Sequence, residues 1–244
     1  DKWEKYSKYF SINEKYFVKY ADIITCVSLN EQKLYQKNIG IKPIYIPNGI
    51  NDNFKILSQK KIKKEDYIFF GAGRIIRTKG CDILLKALHI LNYNGKIIIA
   101  GDLNQTIDYK DEILNLSKNL DIEFTGLIKN KDKLLELIYG AKLFIFPSNK
   151  EAMSMMLLEA ASVKTPIIAS DIIANRDVFN ENEVLFFKTD NEYDLANKIL
   201  YALDNYDEMI IKSENAYNTL IENYTWDKIT IIYSNLYDKL IKIS

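Results

Sequence analysis

Between residues 67 and 203, short apolar runs alternate with stretches in which apolar side chains return every three or four positions. The runs at 67–71, 96–101, 122–125, 141–146, 166–170 and 184–187 are rich in Ile, Phe and Ala. Their near-continuous apolar character predicts strands covered on both faces, since a strand with one wet face alternates apolar and polar residues. The stretches at 78–93, 106–119, 130–139, 152–162 and 192–203, with a short one near 174–179, carry helical spacing. Strand–helix alternation of this kind predicts an α/β domain, a parallel sheet with helices on both faces.

The flanks differ. Residues 1–20 read as a helix, with Tyr9, Phe10, Tyr16, Phe17 and Tyr20 at helical spacing. A β-branched run at 21–28 predicts a strand, 29–38 a helix closed by Gly40, and 43–47 a second strand stopped by the turn pair Asn48-Gly49. Two strand–helix pieces are too few to bury their own apolar faces, so 1–48 is expected to be the remnant of an N-terminal domain. A polar stretch with the basic run 60–64 marks 49–66 as an inter-domain linker, its lysines read as a solvated loop. The sheet domain is assigned to 67–222, including a helix at 207–222. In the last segment, 223–244, Trp226, Ile229, Tyr233, Leu236, Leu240 and Ile243 form one helical stripe over 225–243, expected to return towards the N-terminal domain.

Composition narrows the classes. Among 244 residues, Lys+Arg and Asp+Glu both total 33, so no global field favours nucleic acid or a membrane surface. Two cysteines, Cys26 and Cys81, make no disulfide framework and suit a reducing compartment. No apolar run approaches the ~18 residues of a membrane span, and no signal peptide is read. The first residue is Asp1, which suggests that sequence has been removed upstream. Cytoplasmic placement is the expectation.

Ligands in open parallel sheets bind beyond the carboxyl ends of the strands, so the loops there carry the chemistry. The most informative is S-N-K-E-A-M-S-M-M-L-L-E-A-A-S, residues 148–162, with carboxylates Glu151 and Glu159. A helix starting at Ala152 would leave the N–H groups of Ala152 to Met155 unpaired, an anion cradle between two acceptors for hydroxyls. A sugar nucleotide presents that order: hydroxyls, diphosphate, hydroxyls. The plainer alternative is a core helix with Met155, Met156, Leu157, Leu158 and Ala161 as its buried stripe. The loop 71–80, G-A-G-R-I-I-R-T-K-G, brings Arg74 and Lys79 beside glycines that permit close backbone approach. It is not a dinucleotide fingerprint, because Ile76 replaces the third glycine, although Asp102 imitates that fold's ribose acid. No Walker pattern occurs. Gly126-Leu127-Ile128 offers backbone to a flat base, and Asp171 is either an N-cap or a ligand group. His89, the lone histidine, is placed on a helix surface away from these loops. No Cys/His set for zinc and no D-x-D pair for a divalent ion is present.

Taken together, these loops resemble the nucleotide-binding half of a retaining GT-B glycosyltransferase of family 4. The resemblance runs over residues 16–227: Y-A-D-I-I-T-C-V-S at 20–28, I-P-N-G-I at 46–50, Gly73-Arg74 with Lys79-Gly80, and the E-x7-E spacing from Glu151 to Glu159. It implies a Rossmann-like sheet, the C-terminal half of a GT-B fold. It also implies a hexosyltransferase moving sugar from a UDP-, GDP- or ADP-sugar to a glycan or lipid-linked acceptor, with retention, in surface polysaccharide biosynthesis. Glu151, Arg74 and Lys79 would be the catalytic set. Donor binding would use Gly73, Arg74, Lys79, Gly126, Leu127, Glu151, Ala152, Met153, Ser154, Met155 and Glu159, with Glu151 on sugar hydroxyls and Glu159 on the ribose. No metal, cofactor or nucleic acid is expected, and peripheral attachment of the intact protein to the inner membrane face is left open. The family's usual Gly and Phe-Gly after the first Glu are Ala152 and Met153-Ser154 here. Two other classes fit the same residues: a UDP-sugar epimerase of the same fold and a non-catalytic nucleotide-sugar binding module. With the acceptor domain represented by 1–48 alone, this chain is expected to bind donor without transferring sugar.

Overall fold

The structure, a computed structural model, describes residues 16–51 and 65–241. Residues 1–15, most of the expected linker and the last three positions lie outside it, including Tyr9, Phe10, the basic run and Ile243.

The main body is a six-stranded, wholly parallel sheet. Its strands are β3 (Tyr67–Arg74), β4 (Lys96–Asp102), β5 (Ile122–Gly126), β6 (Leu143–Phe146), β7 (Ile167–Ser170) and β8 (Leu185–Phe187), in spatial order β5-β4-β3-β6-β7-β8. The short β1 (Thr25–Cys26) and β2 (Ile44–Tyr45) make a separate parallel pair. Between them α1 (Leu29–Ile39) is capped by the Ser28 hydroxyl and closed by Gly40 at φ 81°.

Successive residues of β3 enter opposite cores, which is why the run is apolar without alternation. Tyr67 and Phe69 join Phe144, Phe146 and Leu158 on one face; Ile68 and Phe70 join Leu84, Leu88, Ile97 and Ile145 on the other. The first face is covered by α4 (Lys131–Gly140), α5 (Met155–Ser162) and α8 (Tyr206–Asn223), the second by α2 (Cys81–Ile90), α3 (Ile107–Leu116) and α7 (Glu192–Asp204). A short α6 (Ile173–Arg176) follows β7.

Two helices start three residues later than their periodicity predicts, and both delays are at the carboxyl edge of the sheet. Residues 77–79 form a 3-10 turn, and Gly80 at φ 70° resets the chain before α2 begins at Cys81 rather than at 78. A Cβ on Gly80 would stand 2.2 Å from the Pro147 carbonyl oxygen, so glycine is required by direction and by space. Likewise α5 begins at Met155, not Ala152.

α9 (Trp226–Ile241) ends the described chain. Ile50 donates to the Tyr224 carbonyl at 2.8 Å and accepts from Trp226 N–H at 3.1 Å. Of the expected stripe, Ile229 is buried and Tyr233, Leu236 and Leu240 are half-buried, whereas Trp226 is 41% exposed. No helix among the described residues is long and apolar enough to cross a membrane.

Candidate functional site

The strand order reverses between β3 and β6: the chain runs outward through β4 and β5, then returns to the other side of β3. The loops leaving these two strands diverge to opposite faces, which opens a crevice at their carboxyl ends. The loop after β3 and the loop after β6 are joined there. Asn149 N–H donates to the Thr78 carbonyl at 3.0 Å, and Gly80 sits on Pro147. Across this seam the Lys79 ammonium meets Glu151 Oε1 at 2.5 Å, with side chains 25% and 10% exposed.

Arg74 differs. It lies at the end of β3, exposed, with no ion pair or side-chain hydrogen bond among the described residues. Gly73 beside it has open space where a Cβ would be, whereas a Cβ on Gly71 would press 2.4 Å from the Met156 methyl. Of the two glycines, Gly73 leaves room for a ligand; Gly71 is explained by packing. Arg77, three residues on, turns away to Glu112 and lies over the Tyr109 ring at 4.9 Å.

The late start of α5 moves the free N–H groups. Ser154 is the N-cap without a side-chain bond, so the unpaired donors belong to the Ser154–Leu157 turn. The helix start expected at Ala152 is corrected: Ala152 and Met153 lie in the loop before the helix, so their N–H groups are loop groups and not helix-terminal ones. Met153 is buried, its sulfur accepting from Asn48 N–H at 3.2 Å.

One helical turn further in, Glu159 is buried at 3% exposure. Its Oε1 is bonded by the Lys131 ammonium, and its Oε2 is buried without a partner. Burial pushes the carboxyl above its ordinary range, while Lys131 pulls the other way by hydrogen bond and charge. Lys131 was not among the residues singled out in the sequence. It opens α4 directly after the Asn130 N-cap, between Lys129 and Lys133, and nothing in the sequence sets it apart from those two. A second orphaned group lies nearby in the chain, the buried Ser148 hydroxyl, whose carbonyl accepts from Ser170 Oγ.

Other candidates settle elsewhere. Gly126 is left-handed at φ 68° and Leu127 is 52% exposed, so this loop is open to solvent. Asp102 is occupied by Asn104 and Gln105, forming its own turn. Asp171 neither caps α6 nor stands free: it accepts from Thr189 N–H at 2.9 Å and Thr189 Oγ1 at 2.6 Å. His89 is exposed, its Nε2 2.6 Å from the Leu116 carbonyl.

Residues 52–219 match the family model of glycosyl transferases group 1. The chain belongs to that family. An uncharacterized glycosyltransferase of Methanocaldococcus jannaschii is 27% identical over 236 residues, 94% of this chain and 64% of that protein. The O-antigen biosynthesis glycosyltransferase WbnH of Escherichia coli is 27% identical over 218 residues, 88% of this chain and 61% of its own. The chain thus spans less than two thirds of these group 1 relatives. Among solved structures, Anabaena HepE in complex with UDP-glucose superimposes with a TM-score of 0.76 at 17% identity, covering 91% of this chain and 64% of that one. The group 1 match begins beside the crossover at Ile50 and ends within α8, so it takes in the whole sheet and both ion-paired glutamates.

Proposed function

We propose that this chain is the donor-binding portion of a retaining, metal-independent hexosyltransferase of family 4 that acts in surface polysaccharide biosynthesis. The observation that carries the reading is the grouping at the β3/β6 crevice: an Arg74 with no ion pair among the described residues, the Lys79–Glu151 pair, and the N–H turn at the start of α5. Cations and N–H dipoles there suit a diphosphate, and carboxylates on either side suit hydroxyls. The structural neighbour holding UDP-glucose and the O-antigen relative support the same class of donor and product.

In this reading Arg74 and Lys79 hold the two phosphates of a UDP-, GDP- or ADP-sugar. As the glycosidic bond breaks, charge grows on the leaving diphosphate, and fixed positive groups stabilise it more than they stabilise the ground state. Glu151 gives up Lys79 to the phosphates and accepts from sugar hydroxyls. Glu159 accepts from the ribose, and the Gly126–Leu127 backbone borders the base. The acceptor is a glycan or lipid-linked saccharide, bound by the intact protein at the inner membrane face.

Calorimetric titration tests the core of this. One of UDP, GDP or ADP is expected to bind, and EDTA is expected to leave its affinity unchanged. Arg74→Ala and Lys79→Ala should each weaken the diphosphate at least tenfold, by about 1.5–3 kcal/mol for a lost charged hydrogen bond, and the bare nucleoside hardly at all. Equal losses for both ligands would assign the loop to folding instead.

A further inference from the structure

Glu159 presents an asymmetric carboxylate. One oxygen is taken by Lys131; the other is buried, has no partner, and belongs to a side chain 4% exposed. Buried acceptors are normally satisfied, so a bare carboxylate oxygen marks a place where something else completes the bond. Lys131 is odd in its own right. It is the first residue of α4, where the helix dipole disfavours a cation, and its side chain is 53% exposed. A long, half-exposed cation at the wrong end of a helix is a local cost, and such violations point to a compensating use elsewhere. The compensation visible here is its bond to Glu159. Neither Lys129 nor Lys133, its neighbours in the same lysine-rich stretch, makes an ion pair among the described residues.

We propose that Lys131 is a positioning residue for donor recognition: its ammonium occupies Oε1 of Glu159, fixes the carboxylate plane, and leaves Oε2 as the oxygen that accepts from a ribose hydroxyl. The assignment rests on the reading of Glu159 as the ribose acceptor. It adds that selectivity for ribose is set from α4, by a residue outside the E-x7-E segment. Without the ammonium, the carboxylate is free to turn and both oxygens compete for whatever donors lie near. A guanidinium has the charge and the N–H groups to substitute; a neutral amide does not.

The test compares whichever of UDP, GDP or ADP binds most tightly with its 2′,3′-dideoxy counterpart. Wild type should prefer the ribose form by about tenfold or more, as expected for a hydrogen bond to a charged group. Lys131→Gln should lose most of that preference while keeping its melting temperature within a few degrees, and Lys131→Arg should retain it. Glu159→Gln should lose it outright, and Glu159→Gln combined with Lys131→Gln should lose no more, because Lys131 acts through Glu159. The last comparison stands even where Lys131→Gln alone fails to fold, since the double variant leaves no buried charge unpaired. If Glu159→Gln keeps the ribose preference, or no nucleoside diphosphate binds, the reading of the site itself fails. If Glu159→Gln loses it but Lys131→Gln keeps it, the site stands and Lys131 has no positioning role. A further loss in the double variant would make Lys131 a direct ligand and overturn the proposal equally.

Discussion

In the proposed site, Glu159 is the residue at which function and stability oppose each other. A carboxyl held above its ordinary value in the folded state binds its proton more tightly there than in the unfolded chain. Stability therefore falls as pH rises through the window from the ordinary carboxylate value up to the raised one. Glu159→Gln removes that loss, and Lys131, half in water, stays solvated without its partner. Urea unfolding should show wild type and variant alike near pH ~4 and the variant more stable near pH ~7, while nucleotide affinity drops. A wild type that is the more stable at neutral pH would mean that the ion pair outweighs the burial. Cys81 gives a second check at this scale. It is fully buried, and burial raises its thiol well above the usual range, so it should resist alkylation until the protein unfolds. Rapid modification of the native protein at Cys81 would contradict its place in the core.

At the scale of elements, the two loops at the β3/β6 crevice show what pattern reading can and cannot see. The strands were legible because burial on both faces writes a continuous apolar run. Most helices were legible to within a few residues. The starts of α2 and α5 were not, and for a shared reason. Helical spacing continues through Thr78 and Ala152, but Gly80 and the loop at 152–154 are set by contacts with the neighbouring segment, Pro147 and Asn48. Periodicity records a local preference and is blind to a carbonyl that arrives from 67 residues away in the chain. Lys131 was missed for the same reason: nothing in K-N-K-D-K says that one lysine reaches a buried glutamate. The two glycines make this testable. Gly80→Ala should destabilise by about 2 kcal/mol or more, since it adds backbone strain to a clash with Pro147. Gly73→Ala should alter stability by no more than about 0.5 kcal/mol, because its Cβ meets nothing, yet it should weaken nucleoside diphosphate binding by filling the crevice. Thermal unfolding and calorimetry on both variants read the two quantities apart; a Gly73→Ala protein with full affinity would move the ligand elsewhere.

Across the whole molecule, the parallel sheet followed from the strand–helix alternation, whereas its strand order did not, and the small β1/β2 unit did not take the lengths its sequence suggested. The runs at 21–28 and 43–47 yield strands of two residues each. Among the described residues no further strand pairs with these two, and Ile44 stays 39% exposed. The chain enters the sheet unit and leaves it at one point. Ile50 on the way in is bonded to Tyr224 and Trp226 on the way out, and a Cβ on Gly49 would stand 2.9 Å from the Trp226 ring. Entry to the sheet unit and exit from it are therefore side by side. Cutting at 50 and 225 leaves a single gap with adjacent ends, which is the arrangement in which domains are transplanted or circularly permuted with least harm. A related sheet unit grafted onto those two ends would arrive in one piece, and exchange of whole units at this seam needs no redesign of the sheet's core.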